Sequence, residues 1–131
     1  MKKTILAVLI SFSALQTFAV DCPVNFGEEN YLDKVGVAIK ATKSCQEAAE
    51  IAEVCALGAS GDLEIAPVAE RKCGLDFWKK LSAQEKNVYG KLQFKCNEKF
   101  SKMQGTMYLS AGAFCKLNVA KLYSELYTAA E

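Results

Sequence analysis

Downstream of Cys22-Pro23, apolar residues recur at steps of three and four and nowhere alternate strictly, which is the spacing of helices and not of strands. The clearest helix opens at Ser82-Ala83-Gln84-Glu85, a capping box in which Ser82 and Glu85 satisfy each other's free backbone donors. Val88, Leu92, Cys96, Phe100 and Met103 then form one apolar stripe, and Gly105 reads as a left-handed stop. A last helix starts at about Thr106, with Tyr108, Ala111, Cys115, Val119, Leu122 and Leu126 along one face. Further upstream, Ala69, Cys73, Phe77 and Leu81 suit a helix running from near Pro67, a residue that fits a first turn because its missing N–H costs nothing there. Gly58-Ala59-Ser60-Gly61-Asp62 reads as a loop. Before it, Cys45, Ala48, Ala52 and Cys55 give a helix face of small residues, and Leu32, Val35 and Ile39 mark an earlier helix from roughly Glu28 to Lys40. The expected fold is all-α: a small disulfide-braced bundle of about five helices that ends in an antiparallel pair.

The first nineteen residues follow a different rule. Lys2 and Lys3 precede an apolar run from Ile5 to Leu15, and Thr17 and Ala19 supply small residues for a cut. Charged start, short apolar middle and small-residue end are the parts of a secretory signal peptide. The run is too short for a membrane anchor, which takes about 20 apolar residues. Residues 1–19 are therefore expected to be a removable signal and residues 20–131 a single helical domain in the periplasm or outside the cell. No stable membrane insertion is expected once the signal is gone.

All six cysteines, Cys22, Cys45, Cys55, Cys73, Cys96 and Cys115, follow the expected cut. An even number in a short exported chain reads as a disulfide framework. Zinc sites and thioredoxin-like redox sites bring cysteines close together, whereas the nearest two here are separated by nine residues. On one helix, Cys45 and Cys55 would lie about 15 Å apart, beyond the roughly 7 Å that a disulfide allows. They are expected to bond to different partners. Cys96 and Cys115 flank Gly105 almost symmetrically, so a helix pair turning there would bring them level, and they are the best single pair.

Composition narrows the chemistry. There is no histidine, which excludes histidine-based triads and histidine metal sites. No catalytic, cofactor-binding or metal-binding set assembles from the sequence, and enzymatic activity and cofactors are not expected. The one arginine, Arg71, and a near-zero net charge argue against a nucleic-acid partner. Charge is nevertheless segregated. Residues 20–70 carry −7, and residues 71–131 carry +6. Such asymmetry implies unlike faces if the fold keeps the halves apart. Glu47, Glu50 and Glu53 project from one side of a helix as a candidate strip for a cationic partner, although a charged outer face also serves solubility. Lys86, Lys91, Lys95, Lys99 and Lys102 suggest a membrane or polyanion surface, with the same plain alternative. Trp78, next to Phe77 and Lys79-Lys80, is a candidate anchor for a protein contact.

Gly105-Thr106-Met107, seven residues further Cys115, and Glu125-Leu126 on the same helix together resemble the LprI-like family, small exported bacterial proteins with paired cysteines named for a lysozyme inhibitor. The likeness covers about the last third of the chain. It implies a helix–glycine–helix unit, an extracytoplasmic role and inhibition of a cationic lysozyme-type muramidase. The resulting expectation is an exported protein-binding module that contacts its partner through Glu47, Glu50, Glu53 and Trp78. An envelope structural or adaptor protein with no enzyme target is the other reading.

Overall fold

The computed structural model describes residues 20–130; the expected signal segment 1–19 lies outside the described residues. The chain is all-helical, with α1 Tyr31–Ala41, α2 Cys45–Val54, α3 Asp62–Phe77, α4 Ala83–Ser101 and α5 Thr106–Thr128. No described residue lies in a strand, and no described helix is long and apolar enough to cross a membrane.

The centre is the pair α3–α5, and these two helices run parallel. Ser110 near the start of α5 donates to Asp62 at the start of α3 at 2.6 Å, and Ser124 donates to Asp76 four turns later. Both pairs have a sequence separation of 48, so the register holds along the whole contact. Between the two clamps the facing positions are mostly small: Ala66, Ala69 and Cys73 on α3, and Ala113 and Ala120 with one larger residue, Leu117, on α5, all buried. Steps of three and four on both helices give one continuous seam, and small side chains let the backbones approach closely. Around this pair, α1 and α2 pack on α3, with α2 also touching α5, while the backbone of α4 packs on α5 alone.

Asp62 explains how the sequence turns into α3. It is completely buried, and its carboxylate accepts the backbone N–H groups of Leu57 and Gly58 at 2.8 and 2.9 Å as well as the Ser110 hydroxyl. A buried carboxylate persists only when its lone pairs are filled in this way. The α3 helix therefore begins at Asp62, five residues before the expected start near Pro67, and Asp62 is not a loop residue. Pro67 lies inside the helix and leaves the Leu63 carbonyl without its usual i+4 donor. The first helix begins at Tyr31 and not at Glu28, after Asn30 in the left-handed region at φ 58°.

Three disulfides brace the fold: Cys22–Cys55 ties the segment before α1 to the end of α2, Cys45–Cys73 ties α2 to α3, and Cys96–Cys115 ties α4 to α5. Cys45 is the first residue of α2 and Cys55 its C-cap, so this helix is bonded covalently at both ends to different partners. The Tyr31 hydroxyl donates to the Cys55 carbonyl at 2.8 Å and reinforces the second of those ends. On the other side, Cys96–Cys115 joins α4 to α5 across the antiparallel turn, where Gly105 holds φ 117° and ψ 148°, a conformation reserved for glycine. Gly105 thus serves as the entry to α5, four residues beyond the end of α4.

Two stripes read from spacing are rotated in the structure. On α4 the inward face is Tyr89, Gln93, Cys96 and Phe100, while Val88 and Met103 are exposed. On α5 the core face is Ser110, Ala113, Leu117, Ala120 and Ser124, while Leu122 and Leu126 are exposed. The small-and-polar face outcompetes the larger apolar one because only it permits the close parallel contact with α3.

Enlarging a residue in that seam should force the central helices apart. Ala69→Leu is expected to cost about 1–3 kcal/mol in urea unfolding with disulfides intact. Ala83→Leu, on an exposed part of α4, should stay within about 0.5 kcal/mol of the parent.

Candidate binding surfaces

The fold keeps the acidic helices α1 and α2 out of contact with the lysine-bearing α4. α1, α2 and the first turns of α3 carry the acidic half, and α4 and α5 carry most of the basic half. No packing contact joins α1 or α2 to α4.

On α2, the Ser44 hydroxyl accepts the Glu47 backbone N–H at 3.1 Å, and the Glu47 carboxylate reaches back to the Lys43 N–H at 2.9 Å. Glu47 therefore caps its own helix while remaining exposed. Glu50, half-buried, accepts from the Gln46 amide at 2.6 Å, and Glu53 is exposed. Beneath them Ala48, Ala49 and Ala52 are fully buried. The strip is thus presented on a short, close-packed helix fixed at both ends by disulfides.

Trp78 stands elsewhere. It is the C-cap of α3, 46% exposed, with its ring edge-on to Tyr89 at 5.9 Å and the Lys86 ammonium 5.3 Å from the ring centre. Its neighbour Phe77 is buried and forms the hub of an aromatic cluster with Tyr89, Tyr123 and Tyr127 at 5.2, 5.4 and 6.4 Å. The tryptophan therefore belongs to the α4 side of the molecule, and the structure does not join it to the α2 strip.

At the foot of the cluster, the Glu85 carboxylate accepts the Ser82 backbone N–H at 2.7 Å and the Tyr127 hydroxyl at 2.7 Å. These bonds pull the Glu85 carboxyl down to about 2, with Ser82 the larger cause and Tyr127 the next, and they push the Tyr127 phenol up. The capping box read from the sequence is present, and its carboxylate has a second task in holding the end of α5.

A cleft of about 280 Å³ opens between α3, α4 and α5, with Pro67, Glu70, Phe100, Tyr108, Gly112 and Lys116 among its walls. Gly112 faces Phe100 across the cleft, where a Cβ would lie in ordinary contact with that side chain at 3.6 Å. Glu70 is half-buried in this wall, and burial pushes its carboxyl upward against the opposing pull of Lys116 and Arg71. Burial also lifts the nearby Tyr89 phenol to about 12, with the Glu70 charge adding to the shift. Sequence spacing did not single out Glu70, because it differs from other surface carboxylates only through what packs around it.

No family model, no curated protein and no solved structure matches this chain.

Two titrations check these environments. Glu85 is depressed in the folded state, so its contribution to stability is present above the ordinary value of 4.5 and is lost as pH falls toward about 2. Tyr127→Phe should raise the Glu85 pKa toward the ordinary value in an NMR titration of the side-chain carboxyl. Glu70 is shifted the other way, so its contribution is present at low pH and is lost as pH rises through its raised folded value. Glu70→Gln should therefore gain stability over the parent between about pH 4 and pH 7, read as urea midpoints. Parallel pH profiles would show that Glu70 is not desolvated.

Proposed function

We propose that this chain is an exported, non-catalytic protein-binding module, and that its partner is a cationic protein of the lysozyme-type muramidase class. The observation that supports this reading most is the double anchoring of α2, with Cys45 bonded to Cys73 and Cys55 to Cys22 at opposite ends of the helix that carries Glu47, Glu50 and Glu53. A surface held rigid before encounter loses little conformational freedom on binding, and the affinity lost to ordering is correspondingly small. The segregation of charge supports the same reading, because an acidic side kept apart from the lysines steers a basic partner in one orientation. Disulfides fit an oxidising compartment, the environment in which such a partner is met. The likeness of Gly105-Thr106-Met107 and Cys115 to the lysozyme-inhibitor family supplies the muramidase as the sharpest candidate.

Recognition then runs through long-range attraction followed by close contact at α2, with no bond made or broken. Glu50 and Glu53 lie outside the helix cap and are the side chains to alter first. Glu50→Gln with Glu53→Gln should slow association with a cationic muramidase about tenfold at low salt and flatten the salt dependence of the rate. Surface plasmon resonance measures both, and a muramidase inhibition assay reports the consequence. An association rate that is unchanged and equally salt-dependent in the double variant would remove α2 as the contact.

A further inference from the structure

The apolar stripe that rotates away from the core leaves a surface on the outside of the α4–α5 pair. Val88, Leu122 and Leu126 are 46, 53 and 59% exposed, although each belongs to a helix whose opposite face is packed. The Cys96–Cys115 bond and the Tyr89–Tyr123 ring contact at 5.0 Å fix the antiparallel register of α4 and α5. In that register Leu92 lies level with Val119, and Val88 lies beside the turn that carries Leu122. An open groove of about 500 Å³ runs along this outer edge, with Lys99, Phe100, Ala111, Val119 and Leu122 in its walls.

Lysines border the groove. Lys91, Lys95, Lys99 and Lys102 are spaced four, four and three residues apart and form a single row along α4, next to Val88 and Leu92. Among the described residues none of the four is in an ion pair. Lys99 leans over Phe100 at 5.2 Å and carries its methylene stem along the groove wall. The acidic groups on the same two helices are Glu85, held by Ser82 and Tyr127, together with Glu98 and Glu125, so positive charge predominates.

We propose that this outer α4–α5 face docks peripherally on an anionic lipid bilayer, with Val88, Leu122 and Leu126 entering the headgroup boundary and the lysine row meeting lipid phosphates. A row of lysines beside aliphatic side chains is the chemistry of an interfacial helix face. Lysine is a hydrated point charge that follows a diffuse negative surface, whereas directional recognition of protein carboxylates favours the planar fork of arginine, which this face lacks. The depth involved is that of side chains only, in keeping with helices that do not span a membrane.

Flotation of the processed, disulfide-intact protein with vesicles tests this. Vesicles of phosphatidylcholine containing about a third phosphatidylglycerol should bind at about 0.1 M salt, and pure phosphatidylcholine vesicles should not. Each lysine near an anionic surface is worth about fivefold in partitioning, so replacing all four with glutamine should weaken binding by on the order of 100-fold or more. Leu122→Ser with Leu126→Ser, both exposed positions where folding is checked by circular dichroism, should also release the protein. Absence of binding to the anionic vesicles overturns the proposal, as does binding indifferent to either set of changes. Concentration-dependent self-association that the leucine changes abolish, without vesicle binding, would assign the groove to a second copy instead. The Glu50/Glu53 variant should float normally, which separates failure here from failure of the muramidase reading.

Discussion

The structure depends on two helices running parallel at close range, a contact that small side chains permit and two serine–aspartate bonds keep in register. Asp62 and Asp76 on α3 meet Ser110 and Ser124 on α5 with the same offset of 48 residues. Parallel neighbours cannot be joined by a short turn, so the intervening chain must travel the length of the pair and return. Helix α4 is that return, which is why it lies outside α5 and needs Cys96–Cys115 to stay there. On the other flank α1 and α2 cover α3, and the disulfides at the two ends of α2 close the remaining edge. The separation of the acidic α2 from the lysine row of α4 follows directly from this order of helices.

Much of this is legible in the chain. Steps of three and four mark five helices, the box at Ser82–Glu85 fixes the start of α4, and the symmetry of Cys96 and Cys115 about Gly105 places their bond. Helical rise alone separates Cys45 from Cys55. The orientation of the last two helices was harder to read, because a stripe search follows the largest apolar residues and the core of α5 is built from serine, alanine and one leucine. Asp62 was hidden for a related reason: in a Gly-Ala-Ser-Gly-Asp run an aspartate looks like a turn residue, and only the distant Ser110 reveals a buried carboxylate. Of the surface residues, Glu47, Glu50 and Glu53 were visible from spacing. Their anchoring at both ends, the cleft around Glu70 and the company of Trp78 arise from contacts remote in sequence.

The same rotation of α5 that defines the core also creates the outer apolar groove. Had Leu122 and Leu126 faced α3, their bulk would have separated the parallel helices. Turned outward, they stand beside the lysine row of α4 and give the basic side an amphipathic character. The core seam and the outer groove are therefore consequences of one packing choice.

The register bond between the central helices is open to direct measurement by a double-mutant cycle of Asp62→Ala and Ser110→Ala, followed by urea unfolding with the disulfides intact. A hydrogen bond from Ser110 to a buried carboxylate should give a coupling energy of about 1.5–3 kcal/mol. Energies that add to within about 0.5 kcal/mol would mean the two side chains do not sense each other, and the parallel arrangement on which the rest is built would be contradicted.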